Sequence, residues 1–367
     1  MRRFLLIPLL GIIAVALSGA ASPLTSSGND TTSASSAKQY LVAGVAFYNL
    51  ENLFDTINSN GTYDLEFSPE GARLWDSEKY WKKIGNLARA IASFSTPETP
   101  YGPAIIGISE IENRNVVEDL VRTVDDTLTA RGQQPWNLQI VHHDSPDRRG
   151  VDVGLLYNPL YFTLESVNNH RLVIPDEPDF RTRDQLVVSG RIFDAPMSFI
   201  VNHWPSRLGG QEQSSPLREA AARLSKAIAD SLWTVNPGQG VIVMGDLNDD
   251  PADKSCAVAL GAVREREQAT AHGFYNPFWW ILDNGVGTLC YKGQWNLFDQ
   301  IIVSGNLVPG TPDGMQYWKA TVHNFPFLRT KSGIYRNYPL RTYARGEFLN
   351  GYSDHFPTEI FLVKEVQ

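Results

Sequence analysis

Cysteine is scarce in this chain. Cys256 and Cys290 are the only two among 367 residues, so at most one disulfide can form within it. In an oxidising compartment that bond, closing a 34-residue separation, adds roughly 3–4 kcal/mol in the chain-entropy account. Two buried, unpaired thiols are the equal alternative. A membrane-length apolar run is also lacking. The stretch from Phe4 to Leu17 has 14 residues, short of the roughly 20 that a bilayer-spanning helix needs. Arg2 and Arg3 precede it and Ser18-Gly19-Ala20-Ala21 follow. Together they read as a signal peptide over residues 1–20, cleaved near Ala20, with an uncleaved anchor as the other reading. No cysteine lies near that point, so lipidation is not expected. The predicted location is secreted or periplasmic, with no stable membrane span.

Excess positive charge is lacking too. The net charge is −8, and loss of Arg2 and Arg3 with the leader takes it to about −10. Acidity argues against a protein that coats nucleic acid through long-range attraction. A nuclease is still compatible, because a bound divalent cation and a few local arginines offset phosphate charge.

What is present is an ordinary globular composition, 43% hydrophobic and 20% charged, in a chain long enough for a substantial core. Residues 21–38 (ASPLTSSGNDTTSASSAK) have no apolar period and read as a flexible linker. Residues 39–367 carry neither repeat nor long linker and read as one catalytic domain, expected as a monomer.

Strand-length apolar runs recur at Leu41–Phe47, Ala104–Ile108, Leu138–Val141, Val151–Tyr157, Leu186–Ile192, Ser198–Val201, Val241–Met244, Gln300–Val303 and Thr358–Val363. Helical stripes lie between them. Tyr80, Ile84, Leu87 and Ile91 mark one over residues 76–94. Leu217, Ala221, Leu224, Ile228 and Leu232 mark another, with Pro216 suited to its start. Asn115 to Ala130 is a third. The pattern predicts a single α/β domain, and leaves open whether its sheets are parallel or mixed.

Polar residues with chemical potential follow several of these strands. In VIVMGDLNDDP (241–251), alternation along an extended chain sends Asp246 and Asn248 to one side; an Asx-type turn is the plainer reading. GYSDHFP (351–357) offers Asp354, a hard oxygen donor for Mg²⁺, Mn²⁺ or Ca²⁺, beside His355, suited to acid–base work. If extended, the two point oppositely. IIGISEIEN (105–113) places Glu110 and Glu112 on one face, AFYNLENLF (46–54) does the same for Asn49 and Glu51, and FIVNHWPSRLGG (199–210) brings His203 with Arg207 near. Capping, turn or solvated roles account for each one singly. Five strand ends with the same chemistry, in a chain with seven histidines, point to one shared site.

The ordered series YNLEN, SEIEN, RGVDVGLLY, NHWPS, GDLN, FDQIIVS and YSDHFP resembles the endonuclease/exonuclease/phosphatase superfamily from about Tyr40 to Val363. That superfamily includes pancreatic deoxyribonuclease, abasic-site endonucleases, inositol polyphosphate 5-phosphatases and neutral sphingomyelinases. The resemblance implies a four-layer α/β sandwich of two packed mixed β-sheets flanked by helices. It implies Asn49, Glu51, Glu110 and Asp354 around a divalent metal, Mg²⁺ first and Mn²⁺ or Ca²⁺ as alternatives. His203 then contacts the reacting phosphate, Asp246 and Asn248 orient the attacking water and hold a phosphate oxygen, and Asp299 hydrogen-bonds His355.

On this reading the protein is an exported metal-dependent phosphodiester hydrolase, a nuclease first, with DNA or RNA as substrate. The first alternative is a phosphatase or phospholipase-type hydrolase of a small or lipid phosphoester, and the second a silent binding protein of the same fold. Aromatics Phe278, Trp279, Trp280, Tyr291 and Trp295 stack bases, touch lipid or pack the core. Arg329, Lys331, Arg336, Arg341 and Arg345, like Arg148-Arg149, form a phosphate-binding rim or a solvated face.

Overall fold

The structure, a computed structural model, describes residues 13–14, 38–58, 64–308 and 314–366. The expected signal peptide and linker lie outside the described residues, apart from residues 13, 14 and 38. In chain order the strands are β1 (Ile13–Ala14), β2 (Gln39–Leu53), β3 (Ile105–Ile111), β4 (Gln139–His142), β5 (Asp152–Tyr157), β6 (Phe162–His170), β7 (Gln185–Ile192), β8 (Ala195–His203) and β9 (Gly240–Asp246). The second group comprises β10 (Ala262–Val263), β11 (Phe274–Tyr275), β12 (Leu289–Tyr291), β13 (Gln294–Asn296), β14 (Asp299–Ser304), β15 (Gln316–Val322), β16 (Tyr343–Ala344), β17 (Glu347–Phe348) and β18 (Thr358–Glu365). The helices are α1 (Ser77–Ile91), α2 (Arg114–Ala130), α3 (Gln211–Val235) and α4 (Phe278–Asp283).

One sheet runs β15-β18-β2-β3-β5-β4, with β1 paired to the start of β2. The other runs β10-β11-β14-β9-β8-β7-β6. Both are mixed, since β2–β3 and β8–β9 are parallel among mostly antiparallel neighbours. The strands are apolar runs because both faces of each sheet are covered. Along β2, Ala43, Val45 and Phe47 enter the core between the sheets, whereas Ala46, Tyr48 and Leu50 enter the core beneath the helices. Tyr80, Ile84, Leu87 and Ile91 of α1 join Val116, Leu120 and Val124 of α2 in that outer layer. On the far side Ala221, Ile228 and Trp233 of α3 cover Val241 and Val243. The result is helix, sheet, sheet, helix: the four-layer sandwich.

Helix starts follow capping chemistry. Asp76 accepts the Lys79 N–H at 2.9 Å and Asn113 that of Val116 at 3.1 Å. α3 departs from the expectation: it starts at Gln211, and Pro216 lies inside its second turn. The added turn is held from its own side chains, because Arg218 donates to the Gln211 carbonyl at 3.0 Å and Ser214 to the Gly210 carbonyl at 2.6 Å. That offsets the one helical bond the proline removes. Cys256 and Cys290 are both free, the first buried and the second half-buried.

Candidate active site

Three strand ends share one level. The parallel register of β8 and β9 sets His203 beside Asp246, and the antiparallel register of β9 and β14 sets Asp246 beside Asp299. Facing residues on neighbouring strands present their side chains to the same side, so Asp246 stands between an imidazole and a second carboxylate. Gly245 makes this approach feasible, since a Cβ there would sit 2.1 Å from the Asn202 carbonyl oxygen.

The other sheet supplies the rest. Asn49, late in β2, donates from Nδ2 to Asp246 Oδ2 at 3.0 Å. His355, in the loop before β18, pairs through Nδ1 with Asp299 Oδ2 at 2.6 Å and sets Nε2 3.9 Å from Asp246 Oδ2. His203 Nε2 is 3.5 Å from the same oxygen. All these side chains are buried. Two of their atoms, His203 Nδ1 and Asp299 Oδ1, are buried with no hydrogen-bond partner among the described residues.

Burial and neighbouring charge separate the two histidines. Burial pulls His203 well below the usual imidazole range, and Arg183, Arg149 and His355 push the same way, so it is neutral. Burial opposes protonation of His355 as well, but Asp299 and Asp246 outweigh it and hold the ring well above its ordinary value, as an imidazolium. Burial lifts Asp246 to about 6, against the pull of His355.

A second acidic cluster adjoins the first. Glu110 Oε1 meets Arg149 at 3.2 Å and lies 3.9 Å from His203 Nε2, while Oε2 accepts the Asn52 N–H at 2.9 Å. Glu51 accepts from the Thr342 N–H at 2.6 Å and from Arg341 at 3.2 Å. Arg341 also holds Asp354 at 2.8 Å. Burial first, then Asp354, raises Glu51 to about 7. The acids crowd one another, and Arg149 and Arg341 offset them. Hard carboxylate oxygens of this kind suit Mg²⁺, Mn²⁺ or Ca²⁺. Among the described residues one cation-competent group is a different set, Asp246, Asp299 and His355. There the His355–Asp299 hydrogen bond accounts for the closeness. A second such group, His142, Asp144 and Asp152, lies apart from it. Its Asp152 is occupied by the Ser145 N–H and hydroxyl at 2.8 and 2.6 Å.

The structure thus brings together Asn49, His203, Asp246, Asp299 and His355, with Glu110 at their edge and Glu51 and Asp354 joined through Arg341. Three details differ from the strand-alternation reading. Asn248 is not extended from Asp246: its φ is 52°, its N–H donates to Asp246 Oδ1 at 3.0 Å, and its side-chain amide donates to the Trp204 carbonyl at 3.0 Å. Glu110, at φ 60°, interrupts β3, so Glu112 turns away to anchor the Asp55 N–H at 2.8 Å. Asp354 and His355 do not point apart; Asp354 Oδ1 is 3.9 Å from His355 Nε2.

Sequence reasoning passed over two cations. Lys83 is 1% exposed and donates to Thr342 Oγ1 at 2.6 Å. Its signal was a lysine on the apolar stripe of α1, one residue before Ile84. Buried Arg183 donates to the His203 and Trp204 carbonyls at 3.1 and 2.7 Å; the sequence around it carried no signal. Of the aromatics, Phe278 is core, while Trp280 and Tyr291 are 66% and 64% exposed. Trp295 stacks on Phe356, next to His355.

Acids fit for a hard cation, a charged imidazole and a carboxylate poised near neutrality, all at the mouth of a four-layer sandwich, define the class of metal-dependent phosphoester hydrolases. The profile of the Endonuclease/Exonuclease/phosphatase family matches residues 44–364, and the chain belongs to that family. Among solved structures it is similar to ANGEL2, described as a 2′,3′-cyclic phosphatase and bound to adenosine-2′,3′-vanadate. That match has a TM-score of 0.57 and 13% identity, covering 89% of this chain and 97% of that one. An endonuclease/exonuclease/phosphatase family protein from Bacteroides thetaiotaomicron matches with a TM-score of 0.51 and 15% identity, over 90% and 97% of the chains. D. rerio TDP2 complexed with a single-strand DNA product matches with a TM-score of 0.50 and 12% identity, over 88% and 98%. At these identities the likeness is one of fold. No curated protein sequence matches the chain.

Proposed function

We propose that the protein is an exported, divalent-metal-dependent phosphodiester hydrolase with nuclease activity. The observation that carries the reading is Asp246: a buried carboxylate fixed by Asn49 at 3.0 Å, with an Asp299–His355 pair of 2.6 Å beside it. The resemblance assigns Asp246 to the attacking water, and the geometry supports it, because a carboxylate lifted to about 6 is ionised yet basic near neutrality. Asn248 would hold a phosphate oxygen through the amide hydrogen that its bond to the Trp204 carbonyl leaves over. His355, kept cationic by Asp299, stabilises negative charge on the phosphoryl group and has a proton to give the leaving oxygen. Neutral His203 offers a hydrogen bond without adding charge. Glu51, Glu110 and Asp354, with Asn49 beside them, would hold the cation, which supplies Lewis-acid neutralisation of the phosphate.

The nucleic-acid reading rests on the ligands bound to structural relatives, a single-strand DNA product for TDP2 and adenosine-2′,3′-vanadate for ANGEL2. The alternative, a phosphatase or phospholipase-type enzyme, gains support from the exposed Trp280 and Tyr291, which suit a lipid as well as a base. Export rests on the leader-like residues 1–20.

The test is hydrolysis of plasmid DNA and bis-p-nitrophenyl phosphate with Mg²⁺, Mn²⁺ or Ca²⁺ and with chelator. Metal-dependent nicking is expected, reduced by at least about 10²-fold in Asp246→Asn and in His355→Ala. Turnover of the small ester without nicking would move the assignment to the phosphatase class. Near-wild-type activity in either folded variant would remove the assigned roles.

A further inference from the structure

Beside the reaction centre, on the side of Glu51, lies a cavity of about 320 Å³. Glu51 and Asn52 line it, and Asn52 is the residue whose N–H binds Glu110, so the cavity adjoins the cation-side acids. Its remaining charged lining is basic: Arg73, Arg341 and Arg345. Glu66 offsets Arg73, and Glu51 with Asp354 offsets Arg341, so Arg345 is the lining cation left without a carboxylate among the described residues.

These arginines arrive from separate elements, and two are held in place by aromatic rings. The Arg73 guanidinium lies 5.1 Å from the Tyr343 ring centre and 6.0 Å from that of Phe67, in cation–π contact. Its guanidinium also pairs with the half-buried Glu66 at 2.7 Å. Arg345 sits at the tip of the β16–β17 hairpin. Its φ of 52°, followed by 84° at Gly346, gives the two-residue turn with left-handed backbone that such hairpins favour. The turn carries Arg345 to the cavity rim, where it bonds the Tyr335 hydroxyl at 3.1 Å and pairs with no carboxylate among the described residues. A guanidinium without a counter-ion at the mouth of a basic cavity is a fork for planar recognition of phosphate.

Resting on the phosphodiesterase reading above, we infer that this cavity is a subsite for a second phosphate group of the same substrate, bound between Arg345 and Arg73 while the scissile phosphate occupies the Asp246–His355 centre. Two sources share that chemistry. One is the neighbouring backbone phosphate of a nucleic-acid strand; the other is a terminal phosphomonoester on a small molecule. A volume of this size, at the small end of ligand sites, takes a phosphate with part of its attached sugar or polyol. Arg341 already serves Glu51 and Asp354, so discrimination falls to Arg73 and Arg345.

The experiment compares kcat/KM of the full exported chain with Mg²⁺ on four substrates. They are bis-p-nitrophenyl phosphate, thymidylyl-thymidine with its single phosphate, the same dinucleotide bearing a 5′-phosphate, and a thymidine tetranucleotide. Wild type is expected to favour the substrates with a second phosphate at least tenfold over the single-phosphate dinucleotide. Arg345→Ala and Arg73→Ala should each lower that preference several-fold while leaving bis-p-nitrophenyl phosphate turnover unchanged. A gain confined to the tetranucleotide identifies a strand as the source; a gain confined to the 5′-phosphorylated dinucleotide identifies a terminal phosphate. Equal kcat/KM for one and two phosphates, or a preference that survives both substitutions, overturns the subsite. If none of the four is hydrolysed, the phosphodiesterase reading fails. Calorimetry of inorganic pyrophosphate with the chelator-treated protein then judges the cavity alone: binding weakened at least tenfold by Arg345→Ala sustains an anion site, and no binding, or binding unaffected by the substitution, ends it.

Discussion

His355 and Asp299 illustrate how one contact sets both charge and direction. The carboxylate accepts a hydrogen bond from Nδ1–H at 2.6 Å, leaving Nε2 to face Asp246. Because Asp299 holds the imidazolium above its ordinary range, replacing it by asparagine lowers the pH at which the ring loses its proton. The alkaline limb of the activity profile should therefore move to lower pH in Asp299→Asn, and kcat at pH 8 should fall by about 10²–10⁴-fold. A pH–rate profile of kcat decides it; an unmoved alkaline limb would detach His355 from the chemistry. The identities at this centre were readable because acids, amides and histidines follow apolar runs at five strand ends. Their directions were not. Glu51, Glu110 and Asn248 all have left-handed backbone, with φ of 50°, 60° and 52°, and simple alternation assumes none. Non-glycine residues in this region are strained, and of the eleven described here Glu51, Asn52, Glu110 and Asn248 stand where the strands end and the site begins.

Strands carry the geometry. Register alone places His203, Asp246 and Asp299 level across β8, β9 and β14. Gly245, at φ 153°, lets β9 approach β8 one residue before Asp246. A Cβ at that position would meet the Asn202 carbonyl oxygen and carbon at 2.1 and 2.7 Å, both backbone and neither able to swing aside. Gly245→Ala is expected to cost about 2–4 kcal/mol, measured by urea unfolding, with activity falling in the protein that still folds. A loss below about 0.5 kcal/mol would show that the strands separate freely there. All nine apolar runs read as strands are strands; burial on both faces leaves a strong sequence signal in all of them but the edge strand β4, which is only partly buried. The sheet edges β6 and β15 were missed. β6, reading FTLESVNNH, is mostly exposed, so its composition is that of a loop. The start of α3 was misplaced because Pro216 is a common first-turn residue, and the turn ahead of it is held by side-chain bonds of Arg218 and Ser214.

At the scale of the molecule, the layer count came from the resemblance and not from periodicity, which cannot tell a parallel from a mixed sheet. The helix–sheet–sheet–helix stack gathers its acids at the open end, where Glu51 and Asp354 crowd each other and Arg341 and Arg149 offset Glu51, Asp354 and Glu110. A cation that relieves this crowding binds the folded state alone and so stabilises it, by about 2.7 kcal/mol at a hundred times its Kd. Thermal unfolding should therefore shift upward by several degrees with saturating Mg²⁺, and Glu110→Gln should shrink the shift. An unchanged midpoint in the wild type would remove the cation site.

The two sheets contribute unequal halves of this chemistry. Asn49 and the loop carrying His355 belong to one, and Asp246 and Asp299 to the other, so the bonds of 3.0 and 2.6 Å that assemble the centre also tie sheet to sheet. A slide of one residue rise, roughly 3.3 Å, would part both bonds at once and shear the core between the sheets while leaving the strands and the two outer cores intact. Turnover is in this sense a strain gauge fixed across the seam of the sandwich. It reads the alignment of two slabs to within a fraction of an amino-acid length, long before either slab begins to melt.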